Sequence, residues 1–249
     1  MPHTNAPLIP VFARWFGSWQ VRIERRALPT DALAAAYDQQ APRWTRLTER
    51  MGYGRAYERL FACFFQSGRI APGARPLRVL DCGTGTGSFA LAMVRAWRCP
   101  VDLHAVDISP GMVATAAARF RTAGIAARVL QASVTALPFA DASFDMVIAA
   151  HVLEHLPEPV AALAEMRRVL KPGGWIITSM TRQSWLGTYI QAKWRTHVLT
   201  PTRAGQWLRE AGFAVEPFEA PSRGLFQLSS LTTIGHTIDA GAAGEELHV

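Results

Sequence analysis

The feature that most limits the fold of this 249-residue chain is the stretch at 79–90, which reads VLDCGTGTGSFA. An apolar run ends in Asp81, and glycines follow at alternate positions, Gly83, Gly85 and Gly87. A run of helix-forming residues comes next. This order predicts a strand, a tight glycine turn and the start of a helix, a geometry in which a backbone can approach a bound nucleotide closely.

From this turn onward, the apolar segments alternate between strand patterns and helix patterns. Short apolar runs bounded by turn residues predict strands, and longer runs between them predict helices. The strands are predicted near 77–81, 101–107, 127–131, 144–150, 173–180, 213–218 and 225–234, and the helices near 87–97, 110–123, 158–170 and 202–211. Such alternation is typical of an α/β protein with a doubly wound, mostly parallel sheet.

Composition indicates a globular protein with a sizeable core, because apolar residues make up 49% of the chain and charged residues 18%. No stretch is apolar for long enough to suggest a membrane span, and arginines interrupt the N-terminal segment where a signal peptide would lie. Three widely spaced cysteines, Cys63, Cys82 and Cys99, predict neither a disulfide framework nor a metal site. We therefore expect a cytoplasmic protein.

The positive charge of the chain is concentrated ahead of the glycine turn. Residues 1–80 hold twelve arginines against five acids, whereas the acids and bases of residues 81–249 balance, so the first part carries the whole net charge of +7. A one-sided basic segment favours an anionic partner such as a membrane surface or a nucleic acid. A general preference for arginine explains the scarcity of lysine but not this asymmetry.

Residues 8–28 are predicted to form an amphipathic helix. Apolar residues recur there at helical spacing, and arginines flank them; the apolar set is Leu8, Phe12, Trp15, Phe16, Trp19, Ile23 and Ala27. Aromatic residues beside arginine suit the headgroup region of a membrane, so peripheral contact with an anionic membrane is one interpretation. Packing of the stripe against the protein itself or against a second subunit is the other.

Residues 31–70 are predicted to be helical, with an interruption at Pro42. Tyr37 and Trp44 lie seven residues apart and hence on similar helix faces, which suits either a wall of a substrate pocket or a core-facing pair. A turn-rich linker follows at 71–76. The predicted organisation is therefore a helical N-terminal segment and cap at 1–75 and a larger domain at 76–249.

An acidic residue at the end of the second predicted strand, Asp107, occupies the position where such folds bind the ribose hydroxyls of a nucleotide. The glycine spacing then separates the cofactor classes. A dinucleotide fingerprint, G-x-G-x-x-G, would need its third glycine at the position of Ser88, but the chain has it at Gly87. The spacing G-x-G-x-G behind Asp81 suits a cofactor without a pyrophosphate.

Four motifs together resemble the class I S-adenosylmethionine-dependent methyltransferases, in the branch that includes ubiquinone and menaquinone methyltransferases. They are VLDCGTGTG, AVDISPGMV, LPFADASFDMVIAAHVLEHLPEP and RVLKPGGWIITS, which lie in that order between residues 78 and 180. The resemblance implies a seven-stranded sheet and S-adenosylmethionine as the cofactor.

The resemblance also assigns roles to individual residues. Gly83, Gly85 and Gly87 are expected to border the methionine part of the cofactor, Asp107 to hold its ribose, and Ile108 and Met112 to flank its adenine. Asp81 is also expected to be a cofactor-binding residue. Ser133 stands where the family commonly has an aspartate that contacts the adenine amine. A serine accepts a hydrogen bond without carrying a charge, and the backbone of Val134 is expected to contribute beside it.

His151 follows the fourth predicted strand of the domain, where this fold opens onto cofactor and acceptor. It is expected to line the methyl-transfer site, or to act as a general base if the acceptor must lose a proton; a residue that only fills the loop is the alternative. Together with Glu154 and His155 it also matches the H-x-x-E-H pattern of some zinc peptidases. Pro157 leaves too little helix for both histidines to share a face, so no metal site is expected, and structural roles are expected for the other two residues.

The methyl acceptor is predicted less directly, from the segment at 182–201. This insert on the acceptor side carries Trp185 and Tyr189 among basic residues, which suits an apolar body or a developing ammonium together with a phosphate. A lipid-like acceptor, either a phospholipid amine such as phosphatidylethanolamine or an isoprenoid quinone precursor, fits that pattern. A soluble aromatic metabolite is the alternative acceptor. An inactive protein that binds the cofactor and acts as a partner of another enzyme is the alternative from a different functional class.

Nucleic acid is not expected as the acceptor. Methyltransferases that act on the amino groups of bases usually have an Asn/Asp-Pro-Pro-aromatic run after the fourth strand, and this chain has AAHVLEH there. The sequence indicates no oligomeric state.

Overall fold

The computed structural model of the protein describes residues 8–26, 50–184, 197, 199–219 and 225–238. The described strands form a separate two-stranded hairpin and one seven-stranded sheet. The hairpin consists of β1 (Leu8–Phe16) and β2 (Trp19–Arg26), and the sheet of β3 (Leu77–Cys82), β4 (Val101–Asp107), β5 (Ala127–Gln131), β6 (Phe144–Ala150), β7 (Leu170–Thr181), β8 (Phe213–Glu216) and β9 (Ser230–Thr237).

The strands of the large sheet are ordered β5-β4-β3-β6-β7-β9-β8. All are parallel except β9, which runs antiparallel to both of its neighbours. The central strands β3, β4 and β6 are mostly buried, as expected for parallel strands that are covered on both faces. The doubly wound, mostly parallel seven-stranded sheet expected from the sequence is confirmed.

Helices cover both faces of the sheet. They are α1 (Tyr53–Gln66), α2 (Ser88–Trp97), α3 (Pro110–Thr122), α4 (Pro159–Val169), α5 (Pro201–Glu210) and the short α6 (Leu225–Ser229), with a 3₁₀ turn at Leu153–His155. One apolar cluster joins α1, α2 and α3 to one face of the sheet, and a second joins α4 and α5 to the other face. The domain therefore has two cores that meet at the sheet.

Local signals explain where α3 and α5 begin. Ser109 precedes α3 and its hydroxyl accepts a hydrogen bond from the backbone N–H of Met112 at 3.0 Å. Thr200 has the same role before α5. In both helices proline occupies the first turn, where its missing N–H costs no hydrogen bond.

The helix α1 confirms part of the predicted helical region at 31–70. Its buried residues recur every three or four positions, as in Tyr53, Tyr57 and Phe64, so one face of the helix packs into the core. This face belongs to the same apolar cluster as α2 and the sheet. Residues 31–49 lie outside the described residues, and so do Tyr37 and Trp44.

The predicted amphipathic helix at 8–28 is wrong, because the chain forms the β1–β2 hairpin there. The turn falls at Gly17 and Ser18, between the paired residues Phe16 and Trp19. Gly17 has a φ of +61°, and a glycine at the first position of a two-residue loop suits the tight turns that match strand twist. The apolar residues that fit a helical period also fit two strands, and the Gly-Ser pair decides between them.

The prediction of a strand at 225–234 is wrong for the first half of that range. The chain forms the one-turn helix α6 before β9 begins at Ser230. Phe226, on α6, packs edge-on against the rings of Tyr53 and Tyr57 of α1. This aromatic contact fixes the position at which the chain enters the last strand.

Among the helices in the described part of the chain, none is long and apolar enough to cross a membrane.

Candidate functional site

The carboxyl ends of the parallel strands bring the predicted site residues to one edge of the sheet. The glycine turn follows β3, Asp107 ends β4, and His151 follows β6. Strand order reverses direction between β3 and β6, since β4 lies on one side of β3 and β6 on the other. Ligands of open α/β sheets bind at the carboxyl edge at this reversal.

The three glycines of the turn all have positive φ, but they face different surroundings. A Cβ atom on Gly83 would overlap the side chain of Val152, and one on Gly87 would lie 2.8 Å from the ring of Phe120. A Cβ atom on Gly85 would meet no atom within 4 Å. Two glycines therefore allow close packing of the protein, whereas the backbone of Gly85 borders open space.

Asp107 joins the glycine turn to the start of α3. Its Oδ2 accepts a hydrogen bond from the backbone N–H of Gly85 at 2.8 Å, and its Oδ1 accepts one from the N–H of Ser109 at 3.0 Å. The residue thus holds the shape of the turn.

Asp81 is almost completely buried beneath the turn, with 1% of its surface exposed. Its Oδ2 accepts a hydrogen bond from the hydroxyl of Thr84 at 2.7 Å, whereas Oδ1 has no hydrogen-bond partner among the described residues. Burial raises the pKa of Asp81 to about 7; the Thr84 hydrogen bond opposes this rise and the charge of Asp107 adds to it. A buried carboxylate oxygen without a donor is suited to a cationic N–H donor.

The residues expected around the adenine lie beside Asp107. The strand β5 pairs with β4, and the backbone N–H of Ala132 donates to the carbonyl of Asp107 at 3.0 Å, which brings the segment from Ser133 next to the turn. The Ser133 hydroxyl is engaged with Thr135, at 2.7 Å from its Oγ1. Its role toward an adenine stays a prediction.

Two other residues expected at the adenine, Met112 and Val134, are buried in the protein. Ile108, by contrast, is half-buried, and its carbonyl accepts a hydrogen bond from the Gln131 side chain at 3.1 Å. Of these three side chains, Ile108 offers the most surface to a ligand. The predicted contacts of all three stay predictions.

His151 has a left-handed backbone, with a φ of +56°, which is uncommon for a residue other than glycine. Its N–H donates to the carbonyl of Ser179 on β7 at 2.7 Å. The imidazole Nδ1 lies 3.1 Å from Oε1 of Glu154 and 3.2 Å from Oγ1 of Thr181. The structure therefore holds the ring at the ends of β6 and β7.

Glu154 is the buried partner of this histidine. Its Oε1 accepts hydrogen bonds from the backbone N–H and from the hydroxyl of Thr181, both at 2.9 Å, in addition to its contact with His151. Burial favours the neutral acid, but the hydrogen bond and the attraction to His151 outweigh it, and the pKa of Glu154 is lowered to about 2. Glu154 is thus a carboxylate at neutral pH.

The third residue of the H-x-x-E-H pattern, His155, does not join this pair in a metal site. Burial lowers the pKa of His155 to about 4. Within the described residues, no group of three histidine, cysteine or acidic side chains is arranged to hold a metal ion.

An aromatic wall lies next to His151 and was missed by the sequence analysis. It is formed by Tyr53 and Tyr57 of α1 and by Phe226 of α6, and the ring of Tyr53 lies 6.1 Å from that of His151. The hydroxyl of Tyr53 bonds to the hydroxyl of Ser229 at 2.6 Å. The spacing of the two tyrosines by one helical turn was the available signal, but only the fold shows that α1 reaches this edge.

Tyr57 is buried like Tyr53 and interacts electrostatically with two acidic residues of the site, Glu154 and Asp81. Burial raises its pKa well above its ordinary value, and Tyr53, Glu154 and Asp81 raise it further. The phenol therefore stays neutral. Two other residues expected to meet the substrate, Trp185 and Tyr189, lie outside the described residues.

Comparison with known families points to the same region of the chain. A family model described as a methyltransferase domain matches residues 80–178. Over these residues the chain resembles a methyltransferase domain. The matched segment begins at the glycine turn and ends in β7, so it contains Asp81, Asp107 and His151. It implies S-adenosylmethionine as the cofactor, as expected from the sequence.

The relatives of this methyltransferase domain include quinone-pathway enzymes. The chain is 38% identical over 152 residues to the demethylmenaquinone methyltransferase of Renibacterium salmoninarum, covering 60% of this chain and 58% of that protein. It is 31% identical over 165 residues to the ubiquinone/menaquinone biosynthesis C-methyltransferase UbiE of Shewanella halifaxensis, covering 65% and 62%. The chain spans about three fifths of the length of these two curated relatives.

A solved structure shows that the likeness in fold extends beyond the methyltransferase domain. The [4+2]-cyclase SpnF superposes with a TM-score of 0.67 at 18% identity, covering 86% of this chain and 97% of that one. At this identity the likeness concerns the fold alone. Because it covers 86% of the chain, it extends beyond residues 80–178.

The residues of the methyltransferase domain fit S-adenosylmethionine. The unpartnered Oδ1 of Asp81 suits the ammonium group at the methionine end, and the open space above Gly85 leaves room for the chain that carries the sulfur. Asp107 ends β4, at the position where an acidic residue suits ribose hydroxyls. Its hydrogen bond from Gly85 ties it to the turn that follows β3 and Asp81.

Proposed function

We propose that this protein is an S-adenosylmethionine-dependent methyltransferase that acts on a lipid-like acceptor, with an isoprenoid quinone precursor favoured over a phospholipid amine. The observation that carries the proposal is the buried carboxylate of Asp81 at the end of β3, whose Oδ1 makes no hydrogen bond of standard geometry among the described residues, together with the open backbone of Gly85 in the turn that follows. A protein that used this loop only for folding would leave a buried polar atom without a partner for no gain.

In this proposal the protein binds and orients, and little further chemistry is needed from it. When bound, S-adenosylmethionine supplies a methyl group on a positively charged sulfur, which is already activated for transfer. Asp81 binds the methionine end of the cofactor and Asp107 binds its ribose. Because Gly85 has no side chain, the cofactor can approach the backbone there. Alignment of reacting groups can contribute about 7–11 kcal/mol to a reaction barrier, so an arrangement that only positions its substrates can be effective.

The choice of acceptor is supported by the relatives and by the aromatic wall. Two relatives bear names that refer to quinone methylation. The rings of Tyr53, Tyr57 and Phe226 are only 2–5% exposed and pack against one another beside His151, so they give this end of the site an apolar backing. A soluble aromatic metabolite would meet the same surroundings and is the alternative acceptor.

Calorimetry tests the first half of the proposal. We expect the full-length protein to bind S-adenosylmethionine and S-adenosylhomocysteine at one site. An Asp81→Asn variant should bind more weakly, because it lacks the charge that meets the ammonium group. If neither compound binds to the wild-type protein, the proposed function is wrong.

Transfer of a labelled methyl group tests the acceptor. The probes are a naphthohydroquinone with a short isoprenoid chain, phosphatidylethanolamine vesicles and a soluble catechol. Labelling of the naphthohydroquinone is expected. Labelling of the catechol alone would favour the soluble acceptor, and binding without transfer to any probe would favour an inactive cofactor-binding partner, an interpretation that also takes support from Ser133.

A further inference from the structure

The pairing of His151 with Glu154 fixes the position of the hydrogen on the imidazole ring. Nδ1 of His151 lies near two oxygen atoms, Oε1 of Glu154 and Oγ1 of Thr181. The Thr181 hydroxyl donates its own hydrogen to Glu154, so its oxygen also faces Nδ1 as an acceptor. A carboxylate accepts hydrogen bonds and cannot donate one, and therefore Nδ1 carries a hydrogen.

The other ring nitrogen is then free to accept a proton. In a neutral imidazole with its hydrogen on Nδ1, Nε2 has a lone pair that can accept a hydrogen bond or a proton. Nε2 lies 3.5 Å from the hydroxyl of Ser230, at the outer limit of a hydrogen bond. The side chain of His151 is 20% exposed, so solvent or a ligand can reach it.

The position of His151 connects the glycine turn with the aromatic wall. The next residue in the chain, Val152, packs directly against Gly83 of the turn. On the other side, the ring of Tyr53 lies 6.1 Å from the imidazole. The histidine thus lies beside the proposed cofactor loop and beside the surface proposed for the acceptor.

We propose that His151 accepts the proton that the methyl acceptor loses, and that Glu154 is a positioning residue which holds His151 in the tautomer with a free Nε2. This inference rests on the proposed function. As the acceptor atom forms its bond to the methyl carbon, the bond between that carbon and sulfur breaks, and the acceptor's proton passes to Nε2. The substrate class is therefore one whose reacting group has a proton to lose, such as a hydroquinone or a phenol.

The tautomer can be measured without any substrate. Nitrogen-15 NMR of the histidine side chains in the ligand-free protein should show His151 with Nδ1 protonated and Nε2 bare, and the signal is assigned by its loss in His151→Asn. In Glu154→Gln the neutral amide no longer selects one form, and we expect a mixture of the two tautomers. An unchanged His151 signal in Glu154→Gln would overturn the role of Glu154.

A turnover experiment tests the role of His151 itself. Asparagine tolerates the left-handed backbone of this position, so His151→Asn is expected to fold. With the naphthohydroquinone probe, His151→Asn should lower kcat by at least about 100-fold, the usual range for a lost proton acceptor, while the Kd for S-adenosylmethionine stays within about threefold. Arg98→Asn is the matched control, because Arg98 is exposed and also has a left-handed φ of +57°.

The outcomes separate this inference from the proposed function. A His151→Asn protein with a kcat within about threefold of the wild type overturns the inference, since a missing proton acceptor costs about 100-fold or more. Absence of S-adenosylmethionine binding by the wild-type protein overturns the proposed function instead. The NMR experiment tests the tautomer of His151 whether or not the protein binds S-adenosylmethionine.

Discussion

At the scale of single residues, glycines with the same sequence spacing have different functions. Gly83 and Gly87 allow other parts of the protein to pack against the turn, whereas Gly85 borders open space. The sequence alone does not distinguish them, because the neighbours Val152 and Phe120 come from distant parts of the chain. A substitution experiment can distinguish Gly85 from the other two glycines.

Gly85→Ala should weaken cofactor binding by more than tenfold, because its methyl group would enter the space proposed for the ligand. Gly124→Ala is the matched control: both glycines have positive φ, and neither would place a Cβ atom within 4 Å of another atom. Both variants should lose about 1–2 kcal/mol in the free energy of unfolding, the usual cost of a left-handed alanine. Denaturant titration and calorimetry measure the two effects, and equal cofactor affinities in the two variants would contradict the position proposed for the ligand.

Asp81 should make cofactor binding depend on protons. Burial raises its pKa to about 7 in the ligand-free protein, so part of the population is protonated at neutral pH. An ammonium group at Oδ1 would favour the carboxylate, and binding near pH 7 should therefore release protons from this residue. Calorimetry in buffers with different ionisation enthalpies measures that release. The number of protons released on binding should be smaller in Asp81→Asn than in the wild type. An equal number would show that another group releases them.

The place of a residue in the fold, as distinct from its role, could be predicted where a motif lies next to a strand end. Asp107 and the glycines follow predicted strands directly, and parallel strands bring their carboxyl ends to one edge of the sheet. Tyr53 and Phe226 could not be predicted in the same way, because their place in the site depends on how α1 and α6 pack. The buried carboxylate of Glu154 was expected to be structural, and its contact with His151 became visible only in the fold.

At the scale of secondary-structure elements, the N-terminal hairpin changes how the basic segment would meet a membrane. The residues that were expected to form one helical stripe lie on two paired strands. Trp19, at the turn, is 78% exposed, and Val21 is also exposed. Trp19 and Val21 are therefore the candidates for membrane contact among the described side chains of the hairpin.

A Trp19→Ser, Val21→Ser double variant should float less with anionic vesicles than the wild-type protein does. Tryptophan favours the interface between headgroups and acyl chains, and arginines near an anionic surface contribute about 1 kcal/mol each. Leu130→Ser is the control, because Leu130 is an exposed apolar residue on the strand β5, away from the hairpin. Equal flotation of all three proteins would remove the membrane proposal.

The strand bounds predicted from the sequence were accurate inside the large sheet, whereas the helix predicted at the N-terminal hairpin was wrong. The bounds of β4, β5 and β6 agree with the predicted ranges, because each strand is a short apolar run between turn residues. In residues 8–28 the same apolar positions satisfy both a helical and an alternating period. The Gly17-Ser18 pair carried the decisive information, since a helix of that length would have had glycine in its interior.

At the scale of the whole molecule, Asp145 joins three parts of the chain at the amino edge of the sheet. Its oxygens accept hydrogen bonds from the Arg75 guanidinium, from the backbone N–H of Arg78 and from Lys171, at 2.7–2.9 Å. Burial alone would raise the pKa of Asp145, but these hydrogen bonds lower it to about 2. The carboxylate thus links the linker before β3, the start of β6 and the start of β7.

Asp145→Asn should lower the free energy of unfolding at pH 7 by about 2 kcal/mol, the usual cost of losing hydrogen bonds to a charged group. The sign of the pH dependence follows from the lowered pKa. The stabilisation is present above the ordinary value of 3.8 and is lost as pH falls toward 2, so the difference between variant and wild type should shrink in acid. Denaturant titrations at pH 7 and pH 3 measure this difference.

Asp141→Asn is the control for that experiment, because the side chain of Asp141 is 77% exposed and its ion pair with Arg168 is a surface contact. Exposed pairs contribute about 0–1 kcal/mol, so this variant should unfold nearly like the wild type. A loss of stability in Asp145→Asn that is as small as in Asp141→Asn would show that the three contacts at Asp145 contribute little.

The position of β9 has a consequence for how the protein is synthesised. This last strand lies between β7 and β8, and among the described strands β8 pairs with β9 alone. A nascent chain that has left the ribosome only as far as residue 219 has an open edge along β7, which can pair with a neighbouring chain. The same strand begins with Ser230, beside His151. The pairing of β9 with β7 therefore both closes the sheet and places Ser230 beside His151.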